Sequence, residues 1–186
     1  MKCDINEVCN VYIVGRVGDE IVYESSGHNV WTSTGREYSC LLKTCDENGE
    51  PYRSDRIMYI GVGTGTQVES VSVSRLANPI SYELSGKWLK KIDHRKTMFT
   101  TGDTRTAVRY SATFSYNELS IGSQQMVQIR ECGLFTDGSN NAPFTRGSRD
   151  LMLSSSAFQS PVAYHSFDPI PKTPNLELEI IWELRH

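Results

Sequence analysis

The clearest period lies near the end of the chain. Leu176, Leu178, Ile180, Trp182 and Leu184 share one parity, and Glu177, Glu179, Glu183 and Arg185 share the other, with only Ile181 out of phase. Successive strand side chains point to opposite faces, so this run predicts a strand with one wet and one buried face. The exposed row would be Glu177, Glu179 and Glu183, and Trp182 would belong to the core. Before it, the prolines at 169, 171 and 174 exclude helix and leave an extended lead-in. Thr104 to Tyr116 alternates as cleanly, with Val108, Tyr110, Ala112, Phe114 and Tyr116 facing one way. Asn10 to Val17 and Ile21 to Tyr23 flank Gly18-Asp-Glu and read as a hairpin. Met126 to Phe135 and Ile57 to Val62 read as strands, and Ser81 to Thr101 as further sheet of poorer alternation.

Only one segment has helical spacing. It runs from about Ser33 to Thr44, with Ser33 or Thr34 as the cap, Glu37 completing a capping box, and Tyr38, Leu41, Leu42 and Cys45 as an apolar stripe. Gly49 and Pro51 end it. Many short strands and one helix near residues 33–45 predict a mainly-β fold, an antiparallel β-sandwich, as a single domain over 1–186 with 1–10 as an N-terminal arm. The connections Val68–Ser74 and Arg146–Ser160 are long for a compact domain, which marks them as candidate contacts with neighbouring subunits.

Composition adds limits. The chain has 186 residues, 38% hydrophobic and 22% charged, with a net charge of −3. That is an ordinary globular composition, too acidic for general nucleic-acid binding. No apolar run approaches the roughly 18–20 residues of a membrane span, and the first ten residues lack the apolar region of a signal peptide. Five cysteines, an odd number, read as reduced thiols of a cytosolic chain.

The candidate chemistry is sparse. Gly61, Gly63 and Gly65 invite a phosphate-loop reading, but no Gly-Lys-Ser/Thr follows, so they read as a turn in which glycine supplies φ > 0. Cys40 and Cys45 lie about 140° apart around a helix, and no histidine pair completes a zinc set. Cys132 reads as a small buried thiol and not a nucleophile. No cofactor or metal is expected. Glu131 shares the parity of Val127 and Ile129 and points to the half-buried face, where a carboxylate needs donors. It is either a catalytic acid or, as preferred, an acceptor for backbone N–H groups at a Cys132–Gly133 kink. The basic run 87–96, with Lys87, Lys90 and Lys91, reads as a charged sheet edge or an ion-paired subunit contact ahead of nucleic-acid binding.

Four ordered segments carry a resemblance. They are His28-Asn-Val-Trp-Thr-Ser-Thr-Gly-Arg-Glu-Tyr with its helix, Ile60-Gly-Val-Gly-Thr-Gly-Thr leading to Leu76-Ala-Asn-Pro, Glu131-Cys-Gly-Leu-Phe, and Phe167-Asp-Pro-Ile-Pro-Lys-Thr closing in Ile181-Trp-Glu-Leu-Arg. Over roughly residues 27 to 186 the chain resembles a diffuse group of tailed-bacteriophage virion proteins. The cysteine-bearing N-terminus and the basic 87–96 run depart from that pattern. The resemblance implies a non-enzymatic tail, baseplate or neck component. Such a protein assembles in the host cytoplasm into the virion, as a homo-oligomer with other virion proteins, with no membrane and no specific nucleic acid. In such a ring the basic run would meet the Glu177, Glu179 and Glu183 row of the next copy. The competing readings are a capsid decoration protein and a carbohydrate-binding module that stacks sugars on Trp31, Trp88, Tyr52, Tyr59 or Tyr164.

Overall fold

A computed structural model describes residues 8–42, 48, 56–80, 89–99, 106–119, 126–136 and 160–185. Its ten strands form two five-stranded antiparallel sheets. Sheet A contains β1 (Val8–Val17), β2 (Glu20–His28), β6 (His94–Phe99), β7 (Thr106–Phe114) and β10 (Glu177–Arg185), in the order β2-β1-β10-β7-β6. Sheet B contains β3 (Val30–Trp31), β4 (Ile57–Gly63), β5 (Leu89–Lys91), β8 (Val127–Thr136) and β9 (Ala163–Lys172), in the order β3-β9-β8-β4-β5. The helix α1 is Ser33–Leu42. The expected mainly-β, sandwich-like architecture with one short helix is what forms.

Sheet A follows the alternation rule. Leu178, Ile180, Trp182 and Leu184 of β10 are buried, and the register pairs them with Phe114, Ala112, Tyr110 and Val108 on one side. Leu178, Ile180 and Trp182 also pair with Gly15, Ile13 and Val11 on the other. Val8 and Cys9 already pair with Arg185 and Leu184, so the segment expected as an arm over 1–10 is strand from Val8 onward. Residues 1–7 lie outside the described residues.

Sheet B is covered on both faces, and all six residues from Glu131 to Thr136 are buried. His165 of β9 lies close enough to Gly27 of β2 that a Cβ there would meet the imidazole at 2.5 Å. His165 and its cross-strand partner Cys132 therefore point at sheet A. Glu131 and Tyr164, one residue off in each strand, point the opposite way, where segment 64–80 lies over them. That segment buries Val73, Leu76 and Ile80 in the same core.

The proline-rich lead-in is itself strand. Pro171 pairs with Gln128, and Ile170 with Ile129. β3 pairs only with Tyr164 and Ala163, so among the described residues no strand pairs with the outer side of the second half of β9, where a missing N–H leaves no ladder bond unmade. The turn Thr173–Leu176, closed by Leu176 N–H to Thr173 O at 3.1 Å, carries the chain from sheet B to sheet A.

Candidate functional site

Three buried charged groups organise the molecule. The first is Glu131, fully buried on β8. Its Oε1 accepts from the backbone N–H of Gly65 (3.1 Å) and of Asn78 (2.8 Å), and its Oε2 from Ala77 N–H (2.8 Å) and the Tyr164 hydroxyl (3.0 Å). Two carboxylate oxygens offer about four acceptor sites, so this one is saturated. Glu131 is thus a backbone acceptor, as preferred from sequence, but its donors are not at Cys132–Gly133. Gly133 sits mid-strand opposite Gly61 and Tyr164, with Pro161 Cβ only 3.0 Å from where a Cβ would be. Burial, and next the Glu131 charge, push the Tyr164 phenol well above its ordinary value. The same burial, with the charges of Glu69 and Glu131, raises the Cys132 thiol, which stays an inert core group.

The glycine run serves this centre. A Cβ on Gly63 would run into Glu131 and into Asn78 O at 2.7 Å, and one on Gly65 would meet Ala77 Cβ at 2.5 Å. The expectation of positive φ at Gly61, Gly63 and Gly65 is corrected. Among the described residues the only glycine with positive φ is Gly18, at 60°. Close approach of the carboxylate and the Ala77–Asn78 backbone is what excludes a side chain.

The second group is Lys172, 1% exposed at the end of β9. Its Nζ donates to Ser115 O and Thr173 O, both at 3.1 Å. Glu118 lies nearby, accepting from Ser115 N–H (2.8 Å) and from Lys90 Nζ (2.7 Å). Burial lowers the Lys172 ammonium from 10.5 to about 8, against the pull of Glu118 and Glu177. This cluster ties β5, β7 and β9 together at one end of the sandwich.

The third is Glu183. Its parity predicts exposure, yet its side chain is fully buried between Arg109 Nε (2.6 Å) and Arg185 Nε (2.7 Å). The Arg109 guanidinium also lies 5.7 Å over the Tyr12 ring. Burial opposes ionisation of Glu183, but hydrogen bonds from the two arginines outweigh it and its carboxyl falls below the usual range.

The expected acidic row is therefore corrected. Glu183 is buried, and Glu179 pairs with Arg16 at 2.9 Å within the chain. Glu177 is half-buried. On the basic side Lys90 is engaged by Glu118, Lys91 is exposed, and Lys87 lies outside the described residues. Trp182 is fully buried, as expected of a core residue. Of the long connections, 146–159 lies outside the described residues. Within 68–74, Val68 is 87% exposed, while Glu69 turns inward to Ser166 N–H (2.7 Å) and to His165 Nδ1 (2.8 Å).

His165 borders a groove of about 690 Å³. Burial lowers the imidazole's proton affinity below its ordinary value, with Glu69 and the His28 backbone pulling the other way. Sequence reasoning passed over Lys172 and Glu69, and it took Glu183 as exposed. For Lys172 a signal existed, because it shares the parity of buried Ile170. Of the aromatics named for sugar stacking, Trp31 and Tyr164 are buried, Tyr59 is half-buried, and Tyr52 and Trp88 lie outside the described residues. Among the described residues no cluster of three or more His, Cys, Asp or Glu is placed to hold a metal ion. No family model, curated protein or solved structure matches the chain.

Proposed function

We propose that this chain is a non-enzymatic structural protein of a tailed-bacteriophage virion, a tail, baseplate or neck component that assembles with copies of itself and with other virion proteins. The supporting observation is the use made of the segments that carry the resemblance. Glu131 fastens the Gly63–Gly65 turn to Ala77–Asn78. Thr32 bonds Pro161 O, and Ser33 bonds Val71 O. Lys172 holds Ser115. Glu131, Thr32, Ser33 and Lys172 thus fix loops to the sheets. A saturated carboxylate such as Glu131 is a poor acid–base catalyst, since general catalysis needs a free lone pair or proton within reach of substrate. Burial of Trp31 and Tyr164 also speaks against the carbohydrate-binding reading.

The test is gold-labelled antibody on intact particles of the source phage. Label at the tail tip or collar is the expected result. Label over the head moves the protein to a capsid decoration role, and no label on intact or disrupted particles refutes the virion reading.

A further inference from the structure

We infer that sheet A continues from one copy of the chain to the next, β6 of one copy pairing with β2 of its neighbour. This rests on the self-assembly reading above and adds the junction. β2 and β6 are the two edge strands of sheet A, so each presents one row of backbone groups with no strand beside it among the described residues.

Their charges are complementary. β2 carries Glu20 and Glu24, both exposed, and has no lysine, arginine or proline. β6 opens with His94, Arg95 and Lys96 and has no acidic residue. The faces agree as well. Glu24 pairs with Val14, itself opposite Glu179, and His94 and Lys96 pair with Ser111 and Arg109, opposite Ile181 and Glu183. By backbone register, positions 24, 94 and 96 thus fall on the same face of the sheet. A register shift disturbs β2 only between Ile21 and Tyr23. The regular part, 23–28, has the length of β6, which is six residues.

Direction fixes the kind of assembly. Neighbouring strands in sheet A are antiparallel and there are five of them, so β2 and β6 run the same way. A β6–β2 junction between copies turned about an axis along the strands is therefore parallel. It joins one surface to a different surface of the next copy, the head-to-tail arrangement that makes rings when the rotation closes. Twofold pairing of β2 with β2 would instead set acidic edges together, and β6 with β6 basic ones. The β2 edge residues Ser25 and Ser26 also line the groove that Val68, Phe167 and Asp168 border.

The experiment uses the full chain in sedimentation velocity over a concentration series, with circular dichroism to verify folding. Wild type is expected to form a discrete oligomer. Glu24→Lys and Lys96→Glu are each expected to weaken assembly at least tenfold in concentration. The double variant, and an equimolar mixture of the two single variants, are expected to recover it, because each restores opposite charges across the junction. A folded wild type that stays monomeric at its highest soluble concentration overturns the inference. So does an oligomer that both single variants leave unchanged, or single-variant losses that neither the double variant nor the mixture recovers. In these last two cases the virion reading stands if the gold label is on the particle, and it falls separately if the label is absent.

Discussion

Glu131→Gln should cost about 2–4 kcal/mol, and the structure says where the loss falls. The amide can place oxygen on only one of the two carboxylate positions. Its least costly orientation keeps oxygen toward Gly65 and Asn78 and sets the NH2 toward Tyr164, whose hydroxyl can turn to accept. Ala77 N–H, now 2.8 Å from the carboxylate, then faces another donor. One buried donor without an acceptor costs about 1–3 kcal/mol. The bonds that remain change from charge-assisted to neutral, losing about 1 kcal/mol each. The smaller desolvation cost of an amide returns part of this. In a domain of this size about 2–4 kcal/mol lowers the melting temperature by roughly 5–15 °C. Urea titration and thermal melting measure the total, and amide exchange places it. Protection should fall at Gly65, Ala77 and Asn78 before it falls in β10. A stability loss under about 0.5 kcal/mol, the level of an ordinary surface substitution, or unchanged protection at those three amides would refute the reasoning.

Three further outcomes are expected. Gly35→Ala should destabilise, although alanine is favoured over glycine in a helix by about 1 kcal/mol, because its Cβ would run into Val162 O and the Trp31 ring; a stabilised variant in urea titration would contradict this. Lys172 is lowered to about 8, so between about pH 8 and 10.5 the unfolded chain binds a proton that the folded chain does not, and stability rises with pH there. Lys172→Met should remove that rise, seen as the difference between the two stability-versus-pH curves, and parallel curves would count against it. His165 has the same sign at lower pH. Its folded imidazole stays neutral below about 6.5 while the unfolded one protonates, so stability falls as pH drops, and His165→Gln should flatten that limb in melts from pH 7 to 5.

Alternation made the strands readable, because a half-buried sheet writes its two faces into the sequence. β10, β7 and most of β1 were legible for that reason. The details decided by distant residues were not. The helix is capped by Thr32, whose Oγ1 accepts Gly35 N–H at 3.1 Å, one residue before the expected Ser33 or Thr34. The same hydroxyl is drawn to Pro161 O at 2.5 Å, a partner 129 residues away. The helix also buries Gly35, Tyr38 and Ser39, while Leu42 is exposed. Small residues let it approach Val162 closely, and no apolar stripe encodes that. Glu131 was legible as a carboxylate needing donors, but not that a loop more than fifty residues earlier supplies them. Glu183 was misread as wet because its burial comes from the arginines laid over it.

The pairing of β1 with β10 has a consequence for how the protein is made. β10 is the middle strand of sheet A, and of that sheet's five strands it is the last to leave the ribosome. Until it arrives, β1 and β7 lack the strand that lies between them, and the hairpin β1–β2 is a lone two-stranded ribbon, marginal in water. Sheet A therefore cannot close during synthesis. Its folding waits for the contact of β1 with β10, distant in sequence, which is slow because a long loop must close before the contact rewards it. Through that interval the edge strands of sheet A have no completed core behind them. Nascent copies are then open to mispairing with one another until residues 177–185 emerge and sheet A can close.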